Sequence, residues 1–168
     1  MNNKLVISAF LFMTAISFRS IASEDSIVFK GRELTFGISE SGFIREYPEF
    51  MKYDPREMKF FGRDSDVGLE VYSFIFKSNI TLKEFDPFEN MYVIFVKFKN
   101  DSLKEFELLS GHSDEGYAIA DSILDQFILS KKETDKDLEY DKLYYKKDNL
   151  EAFSYYYETL HLTINLNK

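Results

Sequence analysis

Two apolar runs leave little room for anything but a sheet: VGLEVYSFIFK over Val67–Lys77 and MYVIFVKFK over Met91–Lys99. Successive side chains of an extended chain point to opposite faces. The first run therefore sets Leu69, Val71, Ser73 and Ile75 against Glu70, Tyr72, Phe74 and Phe76. Both sets are largely apolar, which predicts a central strand buried on both sides for most of its length. The second run leads into Asn100-Asp101-Ser102, which carries turn chemistry, and then into the apolar Leu103–Leu109. Together these predict an antiparallel hairpin.

The rest of the chain follows the same period. Ile27-Val28-Phe29 and Leu34–Ile38 flank Lys30-Gly31-Arg32 and predict a second hairpin. Ser39 to Asp66, with Pro48 and Pro55, is irregular and reads as a long loop with room for one short helix. Tyr117–Lys131 breaks the pattern, because Ile119, Ile123 and Phe127 recur every four residues with Leu124 and Ile128 beside them. That spacing predicts an amphipathic helix over 117–131. Ser113 is placed to cap it, with Asp114 and Glu115 at its positive end and Lys131 and Lys132 at its negative end. A polar linker precedes three closing strands, Leu138–Tyr145, Leu150–Tyr157 and Leu160–Leu166. The predicted fold class is α+β, a mainly antiparallel sheet with one helix packed on it.

The N-terminus reads as an export signal. Met1–Lys4 is basic, and Leu5–Phe18 (LVISAFLFMTAISF) runs fourteen residues without charge or proline. As a helix this spans roughly 21 Å, short for a bilayer core of about 30 Å and right for a signal peptide. Ser20-Ile21-Ala22 presents small residues to a signal peptidase, so residues 1–23 are expected to be removed and 24–168 to form a single domain in a bacterial periplasm, with no stable membrane insertion. Lys4 and Arg19 leave with the signal and no acidic residue does, so 19 basic against 29 acidic residues put the mature chain at −10. Such a charge excludes nucleic acid and anionic lipid as partners and favours a basic one. There is no cysteine although that compartment permits disulfides. Stability must then come from the core, and the 18 Phe and 11 Tyr supply it.

Chemistry-bearing motifs are sparse. With two histidines, His112 and His161, and no cysteine, the chain lacks the His/Cys sets that hold zinc. His161 alternates with Leu160, Leu162 and Ile164 and is expected to face solvent; Ser110-Gly111-His112-Ser113 offers no nucleophile elbow. The 29 acidic residues make a carboxylate pair available by number alone, and Glu70 reads as an edge-facing or satisfied charge. Asn79-Ile80-Thr81 matches a glycosylation acceptor that has no role in a bacterium, and no glycine loop fits a phosphate. No residue is assigned a catalytic, metal-binding or cofactor role.

What stands out is a surface inventory. Glu46–Asp66 mixes Tyr47, Phe50, Tyr53, Phe60 and Phe61 with Asp54, Glu57, Asp64 and Asp66, and Tyr155-Tyr156-Tyr157-Glu158 repeats the theme. Aromatic anchors inside a charged rim mark protein interfaces. Tyr47, Tyr53, Asp54, Glu57, Asp64, Asp66, Asp114 and Glu115 are the candidate partner-binding residues.

A signal at Met1–Ser23 followed by a small acidic domain without catalytic motif resembles the periplasmic immunity proteins of the pesticin immunity type. The resemblance covers overall architecture and carries over no residues. It implies a protein toxin as partner, a basic one acting on peptidoglycan, whose active site or substrate groove the domain blocks. Periplasmic lysozyme inhibitors share that purpose and often use a Ser-Gly-x-x-Tyr loop. Ser41-Gly42-Phe43-Ile44-Arg45 and Ser110-Gly111-His112-Ser113-Asp114 both lack its tyrosine, which favours a dedicated immunity protein over a general lysozyme inhibitor. The readings from other classes are a carboxylate-dependent periplasmic hydrolase and an adhesin-like or structural domain.

Overall fold

A computed structural model describes residues 25–53, 69–75, 90–137 and 139–167. β1 (Ser26–Phe29) and β2 (Arg32–Thr35) form a two-stranded hairpin. Lys30 and Gly31 both turn with positive φ, 49° and 75°, as the tightest hairpin turn requires. The second strand stops at Thr35, short of the expected Ile38, because Gly37 takes φ 90° and hands its N–H to Leu103 O at 2.9 Å. α1 (Glu40–Glu46) follows, capped by Ser39, whose Oγ accepts from Gly42 N at 3.1 Å.

The remaining strands are β3 (Met51–Lys52), β4 (Glu70–Ile75), β5 (Tyr92–Phe98), β6 (Leu103–Ser110), β7 (Ile128–Asp135), β8 (Tyr140–Lys147), β9 (Leu150–Tyr157) and β10 (Thr159–Leu166). They make one antiparallel sheet in the order β3-β4-β5-β6-β10-β9-β8-β7. α2 (Asp114–Leu124) carries the chain from β6 in the middle to β7 at the far edge, and a meander brings it back. The expected α+β architecture is what forms, with two short helices.

One face of the sheet is the core. Tyr72, Ile94, Val96, Phe106, Leu108 and Leu162 meet Ile27 and Phe29 of the hairpin, Phe43 of α1, and Ala120 and Ile123 of α2. Phe43 lies at its aromatic centre, with Tyr47, Phe50 and Phe98 rings at 5.0, 5.1 and 5.4 Å. On the opposite face a smaller cluster joins Tyr53, Val71, Met91, Val93, Phe95 and Leu109. β4 and β5 are therefore apolar on both sides, as their sequence predicts. Glu70 is exposed, and Lys52 lies 2.5 Å from it.

The predicted helix over 117–131 is corrected at both ends. α2 begins at Asp114, immediately after the capping Ser113, and ends at Leu124. Asp125–Phe127 forms a turn in which Gln126 N and Phe127 N donate to Ile123 O and Leu124 O. From Ile128 the chain is a strand: Ile128 pairs with Lys146 and is 78% exposed. The four-residue spacing is satisfied through Phe127, but β8 offers an edge that recruits the next eight residues. Lys131 and Lys132 thus sit beside Glu133 and Asp141 on strands, away from any helix end, and the expected polar linker is largely β7.

A candidate binding face on β8, β9 and β10

The alternation of YDKLYYKK and LEAFSYYY sends Tyr140, Lys142, Tyr144, Phe153, Tyr155 and Tyr157 to the sheet face opposite α2, since Tyr144 pairs with Phe153 and Lys142 with Tyr155. On β10 the same face carries His161, paired with Tyr155, and Thr163, paired with Phe153. The rings form a continuous row: Tyr144–Phe153 5.1 Å, Phe153–Tyr155 5.3 Å, Tyr155–Tyr140 5.4 Å and Tyr140–Tyr157 5.5 Å. His161 ends it, stacked on Tyr155 at 4.5 Å with planes 9° apart, its Nε2 2.8 Å from Thr159 Oγ1. It lies on the face expected from the sequence but is half-covered by Tyr155. Apart from Tyr157, 44% exposed, these aromatics are each partly exposed.

Charge flanks the row on both sides. Toward β6, the Lys97 ammonium lies 2.5 Å from Glu105 and 3.4 Å from Glu107, and its side chain is 8% exposed. Toward β7, Lys142 donates to Asp135 at 3.2 Å and Tyr144 donates to Glu133 at 2.9 Å. These neighbours set the ionisation of the face. Burial first, then the Tyr140 phenol and the Glu107 carboxylate, push Tyr155 above the ordinary phenol range. The hydrogen bond to Glu133 does the same for Tyr144, and the hydrogen bonds from Lys131 and Tyr144 hold Glu133 low. The result is a platform of mutually packed rings flanked by paired charges. Such a surface suits macromolecular contact, where pre-ordered aromatics lose little entropy on binding.

The residues singled out in the sequence lie elsewhere. Tyr47 is corrected from anchor to core: it is 1% exposed, stacked on Phe43, with the Arg32 guanidinium 4.4 Å above its ring. Tyr53, 7% exposed, packs against Phe95 with ring centres 6.2 Å apart and is likewise withdrawn from the surface. Asp54, Glu57, Asp64 and Asp66 lie outside the described residues. Asp114 and Glu115 open α2 as expected, but Glu115 accepts from Tyr92 Oη at 2.9 Å and lies 3.3 Å from Lys30. Only the Tyr155–Glu158 motif touches the platform, and it is split by the strand period: Tyr156 points to the other side, 6.3 Å from Tyr117. Tyr140, Tyr144, Phe153 and Lys97 were missed; the period-two alternation of β8 and β9 is the signal that finds the first three.

Among the described residues no helix is long and apolar enough to cross a membrane, and no group of three or more His, Asp or Glu is placed to hold a metal ion. No protein-family model, no curated protein and no solved structure matches the chain.

Proposed function

We propose that this chain is an exported binding protein that neutralises a cell-wall-attacking toxin by direct contact, an immunity protein whose contact surface is the aromatic face of β8, β9 and β10. The observation that carries the reading is the partly exposed row from Tyr144 to His161. The main core lies on the other face of the sheet, and these five rings, in register with one another, stay at least partly open to solvent. Large rings ringed by paired charges are the composition of interface centres. An export signal, as expected from the sequence of Met1–Ser23, agrees with a contact made outside the cytoplasm, where a toxin acting on peptidoglycan works. The net charge, −8 for the whole chain and −10 on the expected loss of residues 1–23, supports fast encounter with a basic partner without deciding affinity.

A hydrolase reading finds less support on this face. Glu105 and Glu107, at 2.5 and 3.4 Å from the Lys97 ammonium, both face the same cation and not an open cleft between them.

Calorimetry of the purified protein against the product of the adjacent reading frame, and against a panel of muramidases, tests the proposal. The expected result is a saturable complex that Tyr155→Ala weakens by about 30-fold or more, the scale of a central interface residue. Absence of binding to every one of these proteins overturns it.

A further inference from the structure

β7 ends the sheet, with β8 as its neighbour and, among the described residues, nothing on its outer side. It is eight residues long and exposed along most of its length. An edge of that length offers a row of backbone donors and acceptors to any extended chain. The opposite edge, β3, has two residues and offers no such row. Two features guard β7. Its register slips between Leu129 and Lys131, and its side chains are charged: Lys131 and Lys132 in one half, Glu133 and Asp135 in the other. A neutral strand pairing here would strip water from four charges without replacing it.

The guard has one matched exception. We propose that β7 pairs antiparallel with β7 of a second copy of this chain, about a two-fold axis near its middle. With the axis at Lys132 or Glu133, antiparallel pairing sets Lys131 of each copy against Glu133 or Asp135 of the other, two opposite-charge pairs against one like pair on the axis, whereas in-register parallel pairing sets like against like throughout. Lys131 and Lys132 already hold Glu133 and Asp141 within the chain, all on exposed side chains that can be shared across the axis. The contact is self-complementary and closes at two copies.

The pairing also fixes how the copies face. Residues directly opposite in an antiparallel pair point to the same side of the sheet. Lys131, Glu133 and Asp135 pair with Tyr144, Lys142 and Tyr140 and so share the aromatic face. Setting Lys131 of one copy against Glu133 or Asp135 of the other therefore places both aromatic faces on one side of a continuous sheet. The dimer does not depend on what those faces bind.

Sedimentation velocity of the purified protein from about 10 to about 200 µM decides the matter, since an edge contact of this size is expected in the micromolar range. The expected result is a monomer–dimer equilibrium that moderate salt weakens. Lys131→Glu with Lys132→Glu is expected to leave a monomer across the range, and adding Glu133→Lys and Asp135→Lys is expected to restore the dimer. Circular dichroism confirms that each variant is folded. A wild-type monomer at every concentration, a dimer that survives Lys131→Glu with Lys132→Glu, or a fourfold variant that stays monomeric overturns the proposal.

Discussion

Gln126 treats Val28 as a strand would: its Oε1 accepts from Val28 N at 2.7 Å and its Nε2 donates to Val28 O at 3.0 Å. The same amide nitrogen also donates to Ser122 O at 2.9 Å. A side chain just beyond the end of α2 thereby satisfies both backbone groups of a residue on the free edge of β1, and joins the hairpin to the helix across nearly a hundred residues. At about 1 kcal/mol per net hydrogen bond, Gln126→Ala is expected to destabilise the fold by about 1–2 kcal/mol in urea unfolding. Gln126→Glu keeps the acceptor and removes the donor, so it is expected to fall between the two. A Gln126→Ala midpoint equal to wild type would show the clasp to be inert.

Tyr47 shows the opposite condition. Its hydroxyl is buried and has no hydrogen-bond partner among the described residues, while its ring fills the core beside Phe43 and Phe50. An orphaned donor costs about 1–3 kcal/mol of desolvation. Tyr47→Phe is expected to leave stability unchanged or raise it, and Tyr47→Ala to lower it by about 3–5 kcal/mol through the cavity. Chemical denaturation of the two variants side by side separates the hydroxyl from the ring.

The buried phenols also set the alkaline limit of the fold. Burial lifts Tyr47 from 10.0 to about 12, and burial followed by hydrogen bonds to Glu40 and Glu115 lifts Tyr72 and Tyr92 further. A group whose pKa is raised by folding contributes stability that is complete below its unfolded pKa and lost as pH rises through the folded one. Stability is therefore expected to hold up to about pH 10 and to fall between there and pH 12 and above. Tyrosine ionisation followed in the ultraviolet should be steep and coincide with loss of circular dichroism. Gradual, independent ionisation in a chain that stays folded would contradict the sign.

Gly116 marks the closest approach of α2 to the sheet. A Cβ built there would lie 2.1 Å from Ser110 Oγ and 3.0 Å from Tyr92 Cβ, and Ser110 is fully buried. Ser110 Cβ lies 2.8 Å from the same point, so turning the hydroxyl away does not relieve the overlap. Although alanine is the better helix former, Gly116→Ala is expected to lose about 1–3 kcal/mol by overpacking, whereas Ala118→Gly, on the exposed side of the same helix, is expected to lose only about 1 kcal/mol. Thermal melts of both variants give the comparison.

The sheet was legible because its signal is local. β5 and β6 declare themselves by composition, and the Asn100-Asp101 turn by residues that accept φ near 53° and 54°. β7 was not legible, because Ile128 continues a helical spacing that only the presence of the β8 edge overrides, a long-range fact. The candidate face was half-legible. Tyr155 and Tyr157 were visible as a cluster, yet their register with Tyr140 and Tyr144 depends on how β8 and β9 pair. Tyr47 misled for a related reason: a tyrosine among charges looks like a surface anchor until the Phe43 cluster is seen to need its ring.

Lys97 links the buried half of the outer face to its exposed half. It pairs across the β5–β6 hairpin with Glu105 and also lies near Glu107, and Glu107 in turn helps keep the Tyr155 phenol protonated. Removing one partner of a nearly buried ion cluster costs more than the cluster contributes, because the charges left behind have lost their water. Lys97→Met is expected to destabilise the fold by about 3–5 kcal/mol, and the triple change with Glu105→Gln and Glu107→Gln to recover most of that loss. Denaturation midpoints test the first claim. The second separates charge from shape: if the triple variant is as weak as Lys97→Met, the lysine stem and its packing, and not its ammonium, hold this part of the sheet.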